Sequence, residues 1–239
     1  CKRTNTPGQD DYKKLTRVMQ YLQGSVDLKL TLSADGLGGI RWWVDASYGT
    51  HADMKGHTGG TMSMGKGSII SASSAQKLVA RSSTESELIG VDDVMPQILW
   101  TANFMKAQGH DVTKNVLYQD NKSTILLASN GRASSGKRTR HIDIRYFFVK
   151  DRVVQSGELK IEYCPTLDMW ADYFTKPLQG ALFYKLRDQI MNIDPSSPYH
   201  SSQRSVLKDE QVAKLANPEV STDSTKCVPM TYKQALTNS

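Results

Sequence analysis

Two aspartates occupy strand-like segments, where this residue type is disfavoured. Asp45 lies within 38–49, and Asp120 closes the short segment 116–120. Acids at the carboxyl ends of strands in an α/β sheet stand where ligands usually bind. Asp120 also has a plainer explanation, because it can cap the helix predicted to start at Asn121. Both aspartates are therefore candidates for chemistry.

Glu87 and Asp172 complete a set of four candidate carboxylates. Glu87 lies in the first turns of a long predicted helix, and Asp172 lies in the last predicted helix. Converging carboxylates stay ionised only when cations neutralise them, and hard oxygen ligands select Mg²⁺ or Mn²⁺. Two such ions, roughly 3.5–4 Å apart, can activate a water and stabilise the leaving oxygen of a phosphodiester. Spacing alone identifies this site weakly, because the chain has 24 acids and most acids are solvated.

The elements that must position these acids change character along the chain. Alternating patterns predict strands at 26–32, 38–49, 116–120 and 158–164. Segment 57–76 is predicted to form two further strands joined by a tight turn. Helical patterns predict helices at 9–23, from about Ser83 to Gly109 with Ser83 or Thr84 as the cap, 121–128, 138–155 and 165–191. Early hairpins favour antiparallel pairing, and later strand–helix alternation favours parallel crossovers. The predicted class is α/β, with helices packed on a mixed sheet.

The charge balance favours a polyanionic partner. Lys and Arg outnumber Asp and Glu by 30 to 24, for a net charge of +6. The excess lies in residues 1–192, and segment 137–152 concentrates it with six cations against two acids. Basic clusters attract nucleic acid, and a merely solvated helix face is the open alternative.

Other classes of protein find little support in the composition. No apolar run approaches the roughly 20 residues that span a bilayer. Cys1, Cys164 and Cys227 are odd in number and lack metal-ligand spacing, so neither a disulfide framework nor a zinc site is predicted. The first residue is not Met, so we expect a fragment or a processed piece. Segment 194–239 is rich in Ser, Thr and Pro, and we expect it to be mostly disordered.

Four blocks, in order, resemble the ribonuclease H domains of copia-type retrotransposon Pol polyproteins. They are SSTESELIG (82–90), VLYQDNKSTILLA (116–128), KRTRHIDIRYFFVKDRV (137–153) and IEYCPTLDMWADYFTKPL (161–178). The leading DYKKLTRVMQYLQGSVDLKLTL is similar to the stretch that joins the family's reverse transcriptase to its ribonuclease H. The resemblance implies a ribonuclease H-like fold with a five-stranded mixed sheet. It divides the chain into a reverse transcriptase or connection end (1–36), a ribonuclease H-like domain (37–192) and a tail (193–239).

The resemblance also assigns roles to the four acids. It implies that Asp45, Glu87, Asp120 and Asp172 are catalytic ligands of two Mg²⁺ ions, with Mn²⁺ as an alternative. Glu87 is preferred to Glu85, because the family ligand precedes the large apolar residue that starts the buried stripe. Two departures from the family stand out. Ser47 replaces a frequent second acid, and no histidine precedes Asp172 within 163–172, so His141 is the candidate substitute.

Substrate contacts are expected from the same blocks. The residues predicted to contact nucleic acid are Ser83, Thr84, Asn121, Lys137, Arg138, Arg140, His141 and Arg145. A cationic helix stripe suits a phosphate backbone that is recognised by shape and charge. A capping or packing role for His141 stays open.

The predicted function is magnesium-dependent hydrolysis of the RNA strand of RNA–DNA hybrids during reverse transcription. The implied partners are the hybrid and the reverse transcriptase of the same polyprotein, with no membrane. A cytoplasmic virus-like particle is the expected location, and the basic run KRTR leaves a nuclear one open. Two alternatives remain: an inactive remnant that only binds nucleic acid, and an integrase-like nuclease.

Overall fold

A five-stranded mixed sheet lies at the centre of the unit that runs from Asp27 to Ser205. The structure, a computed structural model, describes residues 4–36, 38–130 and 148–204. The described residues before it, 4–26, belong to a second unit. The domain boundaries expected from the sequence stay predictions.

The sheet contains both parallel and antiparallel neighbours. Its strands are β2 (Gly39–Ser47), β3 (His57–Ser63), β5 (Ile70–Ala75), β6 (Lys114–Gln119) and β7 (Lys160–Tyr163). Their spatial order is β5-β3-β2-β6-β7. β2 and β5 each pair antiparallel with β3, whereas β2–β6 and β6–β7 are parallel pairs. Two short strands, β1 (Ser33–Ala34) and β4 (Gly65–Lys66), form a separate ribbon. The predicted α/β class and mixed five-stranded sheet are confirmed.

The long helix α2 (Ser83–Ala107) covers one face of this sheet. Its core cluster contains Val91, Met95 and Ile98 together with Trp42 of β2. These apolar side chains recur at helical spacing, so α2 buries one face against the central strands. The cap differs from the prediction. Ser82, one residue earlier than expected, accepts the Glu85 backbone N–H through its side chain at 3.1 Å.

Three of the shorter helices in the described part of the large unit flank a turn of 3-10 helix at Thr166–Asp168. They are α3 (Lys122–Asn130), α4 (Asp172–Thr175) and α5 (Gly180–Met191). The predicted continuous helix over 165–191 is therefore wrong. Pro177 cannot continue a helix and disfavours helical backbone at Lys176, which is extended at φ −119° and ψ 142°.

Two other predictions are corrected at the edges of the unit. Segment 26–32 is not a strand, because no neighbouring strand pairs with it and Leu30 and Leu32 stay half exposed. The start of the supposed tail is ordered as far as α6 (Ser201–Arg204). There the buried Asp188 accepts the Ser201 backbone N–H at 2.6 Å.

Two further helices predicted from the sequence are described in whole or in part. Helix α1 (Gln9–Gln23) agrees with the prediction and belongs to the other unit. Of the helix predicted at 138–155, the structure describes 148–155, which ends in a π-helical turn at Asp151–Gln155. Among the helices that the structure describes, none is long and apolar enough to cross a membrane.

Candidate active site

Three of the four predicted carboxylates converge at one end of the sheet. Asp45 lies on β2, Asp120 directly follows β6, and Asp172 begins α4. One carboxylate oxygen from each of the three lies within 4.8 Å of the others. Asp45 and Asp172 are 2% and 1% exposed, so their charges are held away from solvent. Because β2 and β6 are parallel neighbours, Asp45 and Asp120 approach the same edge of the sheet.

Helix α4 reaches this edge because β3 carries a glycine beneath it. Gly59 pairs with Asp45 across the β2–β3 ladder. A Cβ atom at Gly59 would lie 2.7 Å from Thr175 Cγ2 and 2.9 Å from the Ala171 carbonyl oxygen. Ser73 of β5 also donates its hydroxyl to the Phe174 carbonyl at 2.8 Å. The missing side chain therefore lets α4 lie close to the sheet and brings Asp172 to Asp45.

Substitution of Gly59 by Ala should separate α4 from the sheet. We expect a loss of about 1–3 kcal/mol in the free energy of unfolding, since the added methyl meets backbone that cannot move freely. Urea denaturation of the full chain measures this loss. Gly39→Ala is the matched control, because a Cβ there meets nothing within 4 Å. Equal stability of the two variants would contradict this role for Gly59.

Glu87 lies beside Asp45 and Asp120 and is held by two hydrogen bonds. Its Oε2 accepts the Ala46 backbone N–H at 3.0 Å and the Gln119 side-chain amide at 3.3 Å. Burial, followed by the charges of Asp45 and Asp120, raises the pKa of Glu87 to about 9. The metal-free cluster therefore favours a protonated glutamate at neutral pH.

Gln119 is a positioning residue that the sequence analysis missed. It is fully buried, and its Oε1 accepts the backbone N–H groups of Asp120 and Asn121 at 2.8 and 3.1 Å. Its amide nitrogen donates to Glu87. One side chain thus joins the end of β6 to α2. The feature of the sequence that could have identified Gln119 is its position directly before Asp120.

The alternative explanation for Asp120, a helix cap, is wrong. Asn121 caps α3 instead, since its Oδ1 accepts the backbone N–H groups of Ser123 and Thr124 at 3.0 and 3.2 Å. Asp120 Oδ2 accepts the Thr166 hydroxyl at 3.1 Å. Its carboxylate is consequently available to the acidic cluster.

Thr175 and Lys176 contact the acids and were also missed. The Thr175 hydroxyl donates to Asp45 Oδ2. The Lys176 ammonium lies 2.7 Å from Asp172 Oδ1 and 3.5 Å from Asp45 Oδ1. Burial raises the pKa of Asp172 to about 6 against the opposing effect of Lys176, and Asp45 and Asp120 raise it further. Both residues follow Asp172 within the last sequence block, which was the only signal.

The structure separates the predicted nucleic-acid contacts into two sets. Ser83 is exposed and Thr84 is partly exposed, both in the first turn of α2, and Asn121 is partly buried at its capping position. The cationic set lies outside the described residues: Lys137, Arg138, Arg140, His141 and Arg145. That His141 takes the role of the missing histidine therefore stays a prediction.

The residues present fit a hard divalent cation. Among the residues that the structure describes, the three aspartates form the only group of three or more potential His, Cys or acidic ligands close enough to share an ion. All three offer oxygen, the donor that Mg²⁺ and Mn²⁺ prefer, and Glu87 adds a fourth acid alongside. Burial, followed by the charges of neighbouring aspartates, raises the pKa values of Glu87 and Asp172, as expected for buried acids without a cation.

Comparison with curated proteins finds retrovirus-related Pol polyproteins from plant transposons. Those from transposons RE2 and RE1 of Arabidopsis thaliana are each 30% identical, over 194 and 186 residues, or 80% and 77% of this chain. The one from transposon TNT 1-94 of Nicotiana tabacum is 29% identical over 172 residues, or 71% of the chain. The matched region spans only 12–13% of these relatives. No protein-family model matches the chain.

Two solved structures show a weaker likeness. They are LC11-RNase H1, isolated from compost, and the N-terminal RNase H domain of rv2228c from Mycobacterium tuberculosis, fused to maltose-binding protein. Both have a TM-score of 0.38, at 7% and 10% identity. They cover 54% and 57% of this chain and 86% and 90% of their own. The description of the fold therefore rests on the strand order and directions given above.

Proposed function

Because this chain is homologous to one segment of copia-type, retrovirus-related Pol polyproteins, we propose that it is their ribonuclease H. It hydrolyses the RNA strand of the RNA–DNA hybrids that form during reverse transcription. One observation carries the proposal: Asp45, Asp120 and Asp172, from three separate elements, meet within 4.8 Å. Residues that are distant in sequence rarely bring buried like charges together without a chemical reason.

The proposed mechanism assigns the acids to metal binding. Asp45, Asp120 and Asp172, with Glu87 beside them, would hold two Mg²⁺ ions. Bound there, the ions would supply an activated water and stabilise the 3′-oxygen that leaves. Gln119 holds Glu87 and the Asp120 backbone in place through its two amide atoms.

The proposed substrate follows from charge and from the homologous proteins. The net charge of +6 favours a polyanion. A protein separates RNA from DNA most directly by the 2′-hydroxyl group, which marks the strand to be cut. We include the reverse transcriptase of the same polyprotein as a partner, because it makes the hybrid that the nuclease consumes.

Strand-specific cleavage tests this proposal. The full chain is incubated with a hybrid whose RNA and DNA strands carry different labels, with Mg²⁺ or with EDTA. We expect Mg²⁺-dependent cuts in the RNA strand only, with 3′-hydroxyl and 5′-phosphate ends. A DNA–DNA duplex of the same sequence is the control substrate.

Other outcomes of this experiment identify the competing functions. Salt-sensitive binding of the hybrid without cleavage would indicate an inactive nucleic-acid-binding remnant. Cleavage of the DNA strand, or of the duplex control, would indicate an integrase-like nuclease. Cleavage that persists in EDTA would contradict the role given to the acids.

A further inference from the structure

Lys176 places a positive charge against two of the three convergent aspartates. Its ammonium contacts Asp172 at 2.7 Å and Asp45 at 3.5 Å, and both of these acids are almost fully buried. Among the described residues, it is the cation whose ion pairs involve the acidic cluster itself. Its side chain is 40% exposed, so the ammonium also has a route to solvent.

The chain holds Lys176 at this place through its local geometry. Lys176 lies four residues after Asp172, at the spacing that brings side chains together along one helical turn. Its backbone N–H donates to the Asp172 carbonyl at 3.0 Å, after which the chain becomes extended before Pro177. The preceding Thr175 donates to the other oxygen of Asp45. Asp45 therefore has both carboxylate oxygens engaged by adjacent residues.

We propose that Lys176 is a built-in counter-cation that competes with divalent ions for the Asp45–Asp172 pair. This inference rests on the metal site of the proposed function. In the metal-free protein, the single positive charge of Lys176 offsets part of the repulsion between two buried carboxylates. When an ion binds to Asp45 and Asp172, the ammonium leaves at least one of them and moves toward solvent.

The direction in which metal affinity changes when Lys176 is lost distinguishes this role from a purely structural one. A lysine that only held the site in shape would weaken metal binding when it was lost. A competing lysine does the opposite, because its removal leaves the acids more negative and free to bind the ion. Removal should also destabilise the metal-free protein, since it leaves buried charges unpaired.

Calorimetric titration with Mg²⁺ and with Mn²⁺ tests the proposal on the full chain at fixed ionic strength. We expect Lys176→Gln to bind the ion about tenfold more tightly than the wild type, which corresponds to about 1.4 kcal/mol. We also expect its metal-free melting temperature to fall below that of the wild type. Lys176→Arg keeps the charge, and its affinity should stay within about twofold of the wild type.

Lys185→Gln is the matched control for the loss of a lysine ion pair. Lys185 contacts Asp168 at 2.8 Å, with 44% of its side chain exposed, and Asp168 is outside the convergent group. Its loss should leave the affinity for the ion unchanged. Unchanged or weaker binding by Lys176→Gln would overturn the inference. If the Gln variant does not fold, a change of clearly more than twofold in the affinity of Lys176→Arg would overturn it instead. Failure of the wild type to bind any divalent ion would instead contradict the proposed function.

Discussion

Replacement of Asp120 by Asn is expected to lower Mg²⁺-dependent cleavage of the RNA strand by about a thousandfold or more. This loss corresponds to about 4 kcal/mol of transition-state stabilisation, within the range that metal ions supply. Asn keeps the shape of the side chain and an oxygen that can accept the Thr166 hydroxyl. It removes the charge that attracts the cation. Single-turnover cleavage of the labelled hybrid by the variant and the wild type measures the effect.

The fold should survive this substitution. Asp120 raises the pKa of both Glu87 and Asp172, so its removal relieves repulsion in the metal-free protein. We expect a metal-free melting temperature equal to or above that of the wild type. Asp168→Asn is the control, because it neutralises a half-exposed aspartate that pairs with Lys185. An active Asp120→Asn variant, or equal losses in both variants, would contradict the assignment of Asp120.

Replacement of Glu87 by Gln should raise the stability of the metal-free protein and lower its activity. The variant should gain about 2–3 kcal/mol in metal-free unfolding free energy at pH 7, because Gln stays neutral without having to retain a proton. Its remaining oxygen can still accept from Ala46 and Gln119. Cleavage should fall by about 10- to 100-fold, as expected when a group that supports a metal site is lost.

The stability gain should depend on pH with a defined sign. The pKa of Glu87 is about 9 in the folded state and 4.5 in the unfolded chain. Below pH 4.5 both states hold the proton, and the gain vanishes. Between these values the folded state keeps a proton that the unfolded state has released, so the wild type loses stability as pH rises. The difference in unfolding free energy between the variant and the wild type should therefore increase from pH 5 to pH 9.

Urea denaturation in EDTA across this pH range measures the difference in unfolding free energy between Glu87→Gln and the wild type. Glu85→Gln is the control, since Glu85 is a buried glutamate of the same helix whose Oε2 accepts the Arg81 backbone N–H. It should retain cleavage. A loss of cleavage in the Glu85 variant as large as that in the Glu87 variant would contradict the choice of Glu87.

The sheet was predictable because strand periodicity and chain order constrain it strongly. The alternation around Asp45 and the strand–helix order after Gly109 indicated a mixed sheet, as the structure has. Periodicity failed where elements are short or depend on partners. Segment 26–32 alternates like a strand but has none to pair with, and helical spacing across 165–191 concealed the break before Pro177.

The site was less predictable than the sheet, because its contacts depend on tertiary distance. Strand positions gave Asp45 and Asp120 their main support, whereas Glu87 and Asp172 had only their helix positions until the family resemblance supported them. The roles of Gln119 and Lys176 depend on side-chain contacts across separate elements or at the end of a helix. Such contacts have no periodic signature. Gly59 likewise matters only because α4 lies over it.

In the proposed function, Asp45, Asp120 and Asp172 together bind catalytic divalent ions. Anomalous diffraction from crystals of the full chain soaked in Mn²⁺ tests this binding. We predict an anomalous peak about 2.0–2.3 Å from carboxylate oxygens of these three residues, and its loss in Asp120→Asn. The claim is contradicted if this position stays empty at a Mn²⁺ concentration that supports cleavage of the hybrid.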